Sequence, residues 1–276
     1  MVYLRRQDKL ALTLFNEALK YGGAGNNPLY AGQNPDSSYY DYLNLIEMWA
    51  SVFSTENISI RLFDEIKSNN QCLYKDFLNE IKIERPCGFL RPARKNTALS
   101  GYKQNLLLLL SQIQQSNGEH GQICSELRTH IINSRNNSPE IPQLQASREE
   151  RTQFLNRFSQ SNRQLSEKWL NGRAFGIDPA AVTELNQNQP MPASRPGKEV
   201  VEELLVEEIR LFLDSKLKEK IAHSHNSDQL QYCISAAIAI SANLNTKKTN
   251  HLVQEIKIRC GSHTDTKRVT NCMFPG

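Results

Sequence analysis

Val2-Tyr3-Leu4 reads as the end of a buried strand. Asn57–Phe63 sets Ile58, Ile60 and Leu62 in alternation with Ser59 and Arg61, the period of a second strand. Two helical stretches lie between them. The first follows Asp8, which can cap it, and repeats Leu10, Leu14, Ala18 and Tyr21 until Gly22-Gly23 stops it. A Gly/Asn/Pro-rich loop then runs to Asp36. The second stretch spans Ser38–Phe53, with Leu43, Ile46 and Ala50 on one face. Strands joined through helices cross over a sheet and end up parallel. The expected class is therefore α/β, with residues 2–4 beside 57–63 and helix 9–21 crossing between them. A further helix, Leu73–Ile83, carries Phe77, Leu78 and Ile81.

Glu84–Ala98 is irregular, with Pro86, Gly88 and Pro92. Helical periodicity returns over Leu99–Gln115, His120–Asn133 and Ser147–Leu170, the last two separated by a polar connector, Asn133–Gln145. Asn186–Gly197, rich in Asn, Gln and Pro, is the clearest boundary. The expected organisation is an α/β domain over 1–175, a polar linker over 176–198, a helical segment over 199–258 and a disordered tail over 259–276. Lys198–Ile221 carries a stripe of Val201, Leu204, Leu205, Ile209, Phe212 and Leu217, suited to packing on its own domain or to docking a partner. Gln229–Asn243 continues the helical pattern.

Composition excludes several classes. At 276 residues and 39% hydrophobic, the chain can bury a core. The net charge of +4 comes without a block of five like charges, so no nucleic-acid partner is expected. The longest small-apolar run, Cys233–Leu244, has 12 residues, too few to span a membrane. Met1-Val-Tyr-Leu-Arg-Arg puts charge where a secretory signal needs an apolar stretch, so a cytoplasmic protein is expected. The six cysteines (Cys72, Cys87, Cys124, Cys233, Cys260, Cys272) form no C-x-x-C pair and have no zinc spacing, which reads as free thiols in a reducing compartment and no metal.

The segment with most chemistry is Tyr3-Leu-Arg-Arg-Gln-Asp-Lys-Leu-Ala-Leu-Thr13. A strand delivers Arg5 and Arg6 to the turn before a helix, where backbone N–H groups and the helix dipole favour an anion. Guanidinium forks match phosphate oxygens, and Thr13 could add a hydroxyl to a phosphate lying beside the helix. The other reading is two solvated arginines at a strand end. The short basic clusters Arg91-Pro-Ala-Arg94-Lys95 and Lys247-Lys248 admit the same two readings.

The stretch Tyr-Leu-Arg-Arg-Gln-Asp followed by a hydroxyl residue on the helix is similar to one in bacterial sulfotransferase-like proteins. Tyr39-Tyr-Asp-Tyr-Leu with Trp49-Ala-Ser-Val-Phe53, then Asn57–Phe63, Lys75-Asp-Phe-Leu78, Arg94-Lys-Asn-Thr-Ala-Leu-Ser100 and Ser161-Asn162 before Trp169-Leu170 resemble later segments of the same proteins. The resemblance covers residues 2–175. It implies a partial P-loop-type parallel sheet with flanking helices. It also implies that Arg5 and Thr13 bind the 3′-phosphate of 3′-phosphoadenosine 5′-phosphosulfate. The implied reaction moves a sulfuryl group to a hydroxyl of a carbohydrate or polysaccharide precursor. Such proteins hold the 5′-phosphosulfate in a Gly-rich, Lys-containing loop after an earlier strand. No G-x-x-x-x-G-K-[ST] string occurs here, and Gly22-Gly-Ala-Gly25 follows a helix and carries no Lys. The expectation is therefore an N-terminally truncated domain. It is an enzyme or enzyme remnant of that kind, a non-catalytic binding protein derived from such a domain, or a split-gene fragment whose front half another chain supplies, and no catalytic residue is assigned.

Other candidates are weaker. Glu17, Asp41 and Glu47 could take a proton from an acceptor hydroxyl, or simply be solvated helix positions. His120 and His130 are too far apart for one helical turn, and His223-Ser-His225 at a helix end reads as exposed rather than metal-binding. Trp49 and Trp169, set among aliphatic neighbours at helical spacing, read as core rather than as binding platforms.

Overall fold

A computed structural model of the chain describes residues 1–23, 25–30, 39–68, 72–83, 98–117, 121–134, 140–175, 196–223, 227–244, 248, 250–252, 254 and 255. It is mostly helical with one small parallel sheet, loosely an α/β arrangement. Contacts group the chain into two units, Met1–Glu17, Asn26–Ala98 and Gln145–Pro192 in the first, Ala18–Gly25, Leu99–Leu144 and Ala193–Gly276 in the second.

In the first unit, β1 (Val2–Leu4) pairs in parallel with β2 (Ile60–Leu62), Val2 opposite Ile60, Tyr3 opposite Arg61 and Leu4 opposite Leu62. The crossover between them contains α1 (Gln7–Tyr21), α2 (Tyr42–Phe53) and a 3-10 turn (Thr55–Asn57). Strand alternation sends Leu4 and Leu62 into a core with Tyr42, Ile46, Leu165, Leu170 and Phe175. It sends Tyr3 and Arg61 to the other face. There Asp76 of α4 (Leu73–Glu80) accepts the Arg61 fork and the Tyr3 hydroxyl, the latter at 2.8 Å. The hydrogen bond from Arg61 holds the Asp76 carboxyl below the usual carboxylate range, and burial pushes the Tyr3 hydroxyl up to about 12.

Several expected elements are corrected. The second strand is shorter than 57–63, because the 3-10 turn occupies its start and Phe63 opens an unexpected helix, α3 (Phe63–Ser68). α2 begins at Tyr42 rather than at residue 38, with Asp41 as its N-cap accepting from the Asn44 N–H at 3.2 Å. α4 ends at Glu80, short of Ile83, ahead of Lys82 at φ 60°. Its Phe77, and Ile81 just after it, are exposed while Asp76 is buried, since the partner on the sheet is an arginine. In α1 the buried row is Gln7, Ala11, Phe15 and Leu19, not the Leu10–Tyr21 row, and Tyr21 is 84% exposed. The cause is that Leu10 packs half-buried against two clusters, so the helix needs apolar groups on two sides. Asp8 lies inside α1, and its carboxylate meets arginines.

The second cluster of this unit joins Ala11, Leu29, Tyr40, Ala146, Phe154 and Phe158. Phe154 meets Tyr40 edge-on at 5.4 Å and Phe158 at 5.4 Å. The single helix expected over Ser147–Leu170 is two: α7 (Arg148–Asn156) and α8 (Ser159–Trp169). Ser147 and Glu150 form a capping box at the start of α7. At the break, the Phe158 N–H bonds to the Leu155 carbonyl at 3.0 Å, a tighter turn, and the Phe158 ring lies in the core.

The second unit is helical. It holds α5 (Gly101–Asn117), α6 (Gly121–Asn133), α9 (Lys198–His223) and α10 (Ser227–Ala242). α9 packs on α5, α6 and α10. Val201, Leu205, Ile209 and Phe212 of its expected stripe are buried, and Leu204 is half-buried. Gly22, at φ 83°, closes α1. Its N–H reaches the Leu19 carbonyl at 3.4 Å, and the Gly23 N–H reaches Ala18 at 3.0 Å, a Schellman ending. Arg128 of α6 donates to the Leu19 carbonyl at 2.7 Å and to Gln114 Oε1 at 3.1 Å, so a buried guanidinium meets the negative end of α1. Lys103 does the same for α6, donating to the Ile132 and Ser134 carbonyls at 2.6 and 2.8 Å. Most of the irregular stretch expected over Glu84–Ala98, most of the boundary Asn186–Gly197 and the tail over 259–276 lie outside the described residues.

Candidate functional site

β1 ends at Leu4, and the Arg6 carbonyl accepts the first α1 bond, from the Leu10 N–H at 3.0 Å. Arg5 therefore stands in the turn, beside a first helical turn whose N–H groups have no intrahelical partner. Its guanidinium turns along α1, and Nη1 donates to Thr13 Oγ1 at 2.5 Å. The two residues singled out in the sequence are thus brought into contact. Thr13 Oγ1 in turn donates to the Lys9 carbonyl at 2.9 Å.

Two groups fix Arg5. Tyr42 donates its hydroxyl to the Arg5 carbonyl at 2.8 Å, and the Phe63 ring lies 5.3 Å from the Arg5 guanidinium carbon. Burial, ahead of nearby charges, raises the Tyr42 hydroxyl pKa, so it stays a donor. Arg5 Nε is buried and has no hydrogen-bond partner among the described residues. A buried donor without an acceptor is costly, and an incoming anion would relieve that cost.

Arg6 has a different fate. Its Nε and Nη2 donate to Asp8 Oδ1 and Oδ2 at 2.7 and 2.9 Å, and Arg151 of α7 donates its Nε to Asp8 Oδ2 at 2.8 Å. Burial alone would push the Asp8 carboxyl up, but the two forks outweigh it and hold the group below the usual carboxylate range. Arg6 is therefore structural, and the Arg5-Arg6 pair divides its work. Beside it, Gln7 Nε2 donates to Asn162 Oδ1 at 2.8 Å and Asn162 Nδ2 returns to Gln7 Oε1 at 3.2 Å, clamping the first turn of α1 to α8.

The chemistry available is anion binding: one guanidinium with an unused N–H, and one hydroxyl able to rotate from the Lys9 carbonyl to an incoming oxygen. Gln7, Tyr42, Phe63 and Arg151 escape sequence reasoning, since each acts through a partner far along the chain. A strand–turn–helix reading could have placed the first turn, but not the groups that hold it.

The remaining candidates fall elsewhere. Asp41 is the α2 cap and accepts the Ser161 hydroxyl at 2.6 Å, and Glu47 pairs with Lys168 at 2.6 Å on the surface. Trp49 is 42% exposed on α2 rather than core, beside Phe53 at 6.3 Å, whereas Trp169 is half-buried against the β1–β2 core. His130 lies 3.4 Å from Glu208 Oε2, the same carboxylate that accepts the Tyr102 hydroxyl. No group of three potential metal ligands occurs among the described residues. Among them, too, no helix is long and apolar enough to cross a membrane. Cys124 is a free, buried thiol. Arg91, Arg94, Lys95, Lys247, His120, His225, Cys87, Cys260 and Cys272 lie outside the described residues, as do the side chains of His223 and Cys233. Lys248 pairs with Glu203 at 2.7 Å. No family model, no curated protein and no solved structure matches the chain.

Proposed function

We propose that the Arg5–Thr13 site binds the 3′-phosphate of an adenosine nucleotide, as in a sulfotransferase-like protein using 3′-phosphoadenosine 5′-phosphosulfate. The acceptor in this reading is a hydroxyl of a carbohydrate or polysaccharide precursor. The observation that carries it is the 2.5 Å contact between Arg5 Nη1 and Thr13 Oγ1, across eight residues and a strand-to-helix turn. The buried, unpartnered Arg5 Nε fits a phosphate oxygen as its acceptor. When bound, the donor would supply the activated sulfuryl group. The reading gives this chain's own residues the 3′-phosphate and assigns none of them to the transfer step.

Isothermal titration of adenosine 3′,5′-bisphosphate into wild type and Arg5→Ala tests it. A charge-assisted fork contributes about 1.5–3 kcal/mol, so Arg5→Ala should weaken binding roughly ten- to a hundredfold. Adenosine 5′-monophosphate, which lacks the 3′-phosphate, should lose nothing on the same substitution. Equal binding of the bisphosphate by both proteins overturns the assignment, and so does failure of wild type to bind it.

A further inference from the structure

We propose that Lys9 is a third contact of the phosphate held by Arg5 and Thr13, and that Asp64 is an internal carboxylate occupying Lys9 until that phosphate displaces it. The inference rests on the phosphate reading above and extends it to the residues that regulate the site's affinity.

Lys9 lies four positions before Thr13 on α1, so the two share a helix face, and the Thr13 hydroxyl already bonds to the Lys9 carbonyl at 2.9 Å. The Lys9 ammonium stands 3.3 Å from Asp64 Oδ1. Phe63 and Asp64 are neighbours at the start of α3, one under the Arg5 guanidinium and the other against the Lys9 ammonium. Adjacent residues of a single short helix thus hold the two cations that flank Thr13.

The Lys9–Asp64 pair is poised for exchange. Its side chains are 32% and 34% exposed, so water screens the attraction and breaking it costs little. Lysine is a point charge on a flexible stem, able to move between acceptors, unlike the Arg5 fork over its ring. A phosphate monoester approaches a charge of −2 near neutral pH, against −1 for a carboxylate, and it would be shared with Arg5. Lys9 therefore gains by leaving Asp64 only when a phosphate is present.

Titration calorimetry with adenosine 3′,5′-bisphosphate separates the elements, using wild type, Arg5→Ala, Lys9→Gln, Asp64→Asn and the Lys9→Gln/Asp64→Asn double variant. Lys9→Gln should weaken binding about three- to tenfold and flatten its salt dependence. Asp64→Asn should tighten binding about two- to fivefold, a gain that a purely structural carboxylate would not yield. In the double variant that gain should shrink, because Asp64 acts through Lys9. If Arg5→Ala loses affinity but Lys9→Gln binds like wild type, or Asp64→Asn binds no more tightly, the exchange is refuted while the Arg5–Thr13 reading survives. If wild type does not bind, or Arg5→Ala changes nothing, both fall together.

Discussion

Asp8→Asn should be the most damaging isosteric change in the first turn of α1. The Asp8 side chain is fully buried and accepts Arg6 Nε at 2.7 Å, Arg6 Nη2 at 2.9 Å and Arg151 Nε at 2.8 Å. An asparagine keeps the shape, but one acceptor oxygen becomes an amide facing guanidinium donors. Two arginines whose side chains are each 13% exposed are then left without their counter-charge. Removing one partner from a buried ion pair costs about 3–5 kcal/mol. Residual water access to the arginines favours the lower end, about 3 kcal/mol, or a Tm drop of roughly 6–12 °C for a chain near this size. The loss should depend on pH. The folded carboxyl titrates below its ordinary value of 3.8, so its stabilisation is complete well above that value and is lost as pH falls through the folded value. The gap between wild type and variant should therefore be widest near neutrality and close in acid. Urea unfolding followed by circular dichroism from pH 7 down to pH 3 measures it. A loss under about 1 kcal/mol at pH 7 would refute the reasoning, as would a gap unchanged at pH 3.

Gly22→Ala should destabilise by roughly 1–3 kcal/mol in thermal unfolding, because φ is 83° and the new Cβ would lie 2.9 Å from Arg128 Nη2; full wild-type stability would contradict this. Gly101→Ala should cost at least about 2 kcal/mol, since its Cβ would overlap the Ile141 and Pro142 carbonyls; hydrogen exchange should then speed up at the Leu144 N–H, which now bonds to Gln104 Oε1 at 2.6 Å. Ser147→Ala removes half of the α7 capping box and should cost about 1 kcal/mol in urea unfolding, with Ser147→Asp close to neutral. Phe154→Ala, which empties a fully buried ring site lined by Tyr40 and Phe158, should cost about 3–5 kcal/mol, and a loss below about 1.5 kcal/mol would mean that the cluster collapses around the gap.

What the amino-acid order determined by itself is local. Alternation placed Leu62 on the core face of its strand, and the helical crossover from residues 2–4 required a parallel pair. Periodicity placed Val201, Leu205, Ile209 and Phe212 on the buried side of α9, and Gly22 marked the end of α1. The eight-residue spacing from Arg5 to Thr13 was legible too, because a strand–turn–helix unit carries both groups within one continuous stretch. The break between α7 and α8 was not, since the residues on either side of it are compatible with one helix and only the burial of Phe158 rewards a tighter turn. Nor could hydropathy foresee buried polar groups. Gln7, Asp8, Arg128, Asn162 and Glu208 are polar or charged yet buried, and each is held inside by specific partners. Gln7 meets Asn162 across 155 residues of chain, Asp8 meets Arg151 across 143, and Arg128 meets the Leu19 carbonyl across 109. Burying such a group without its partner is prohibitive, so its burial is a property of the assembled fold. The same reason settled the fates of the two adjacent arginines: tertiary structure gave Arg6 to Asp8 and left Arg5 beside Thr13.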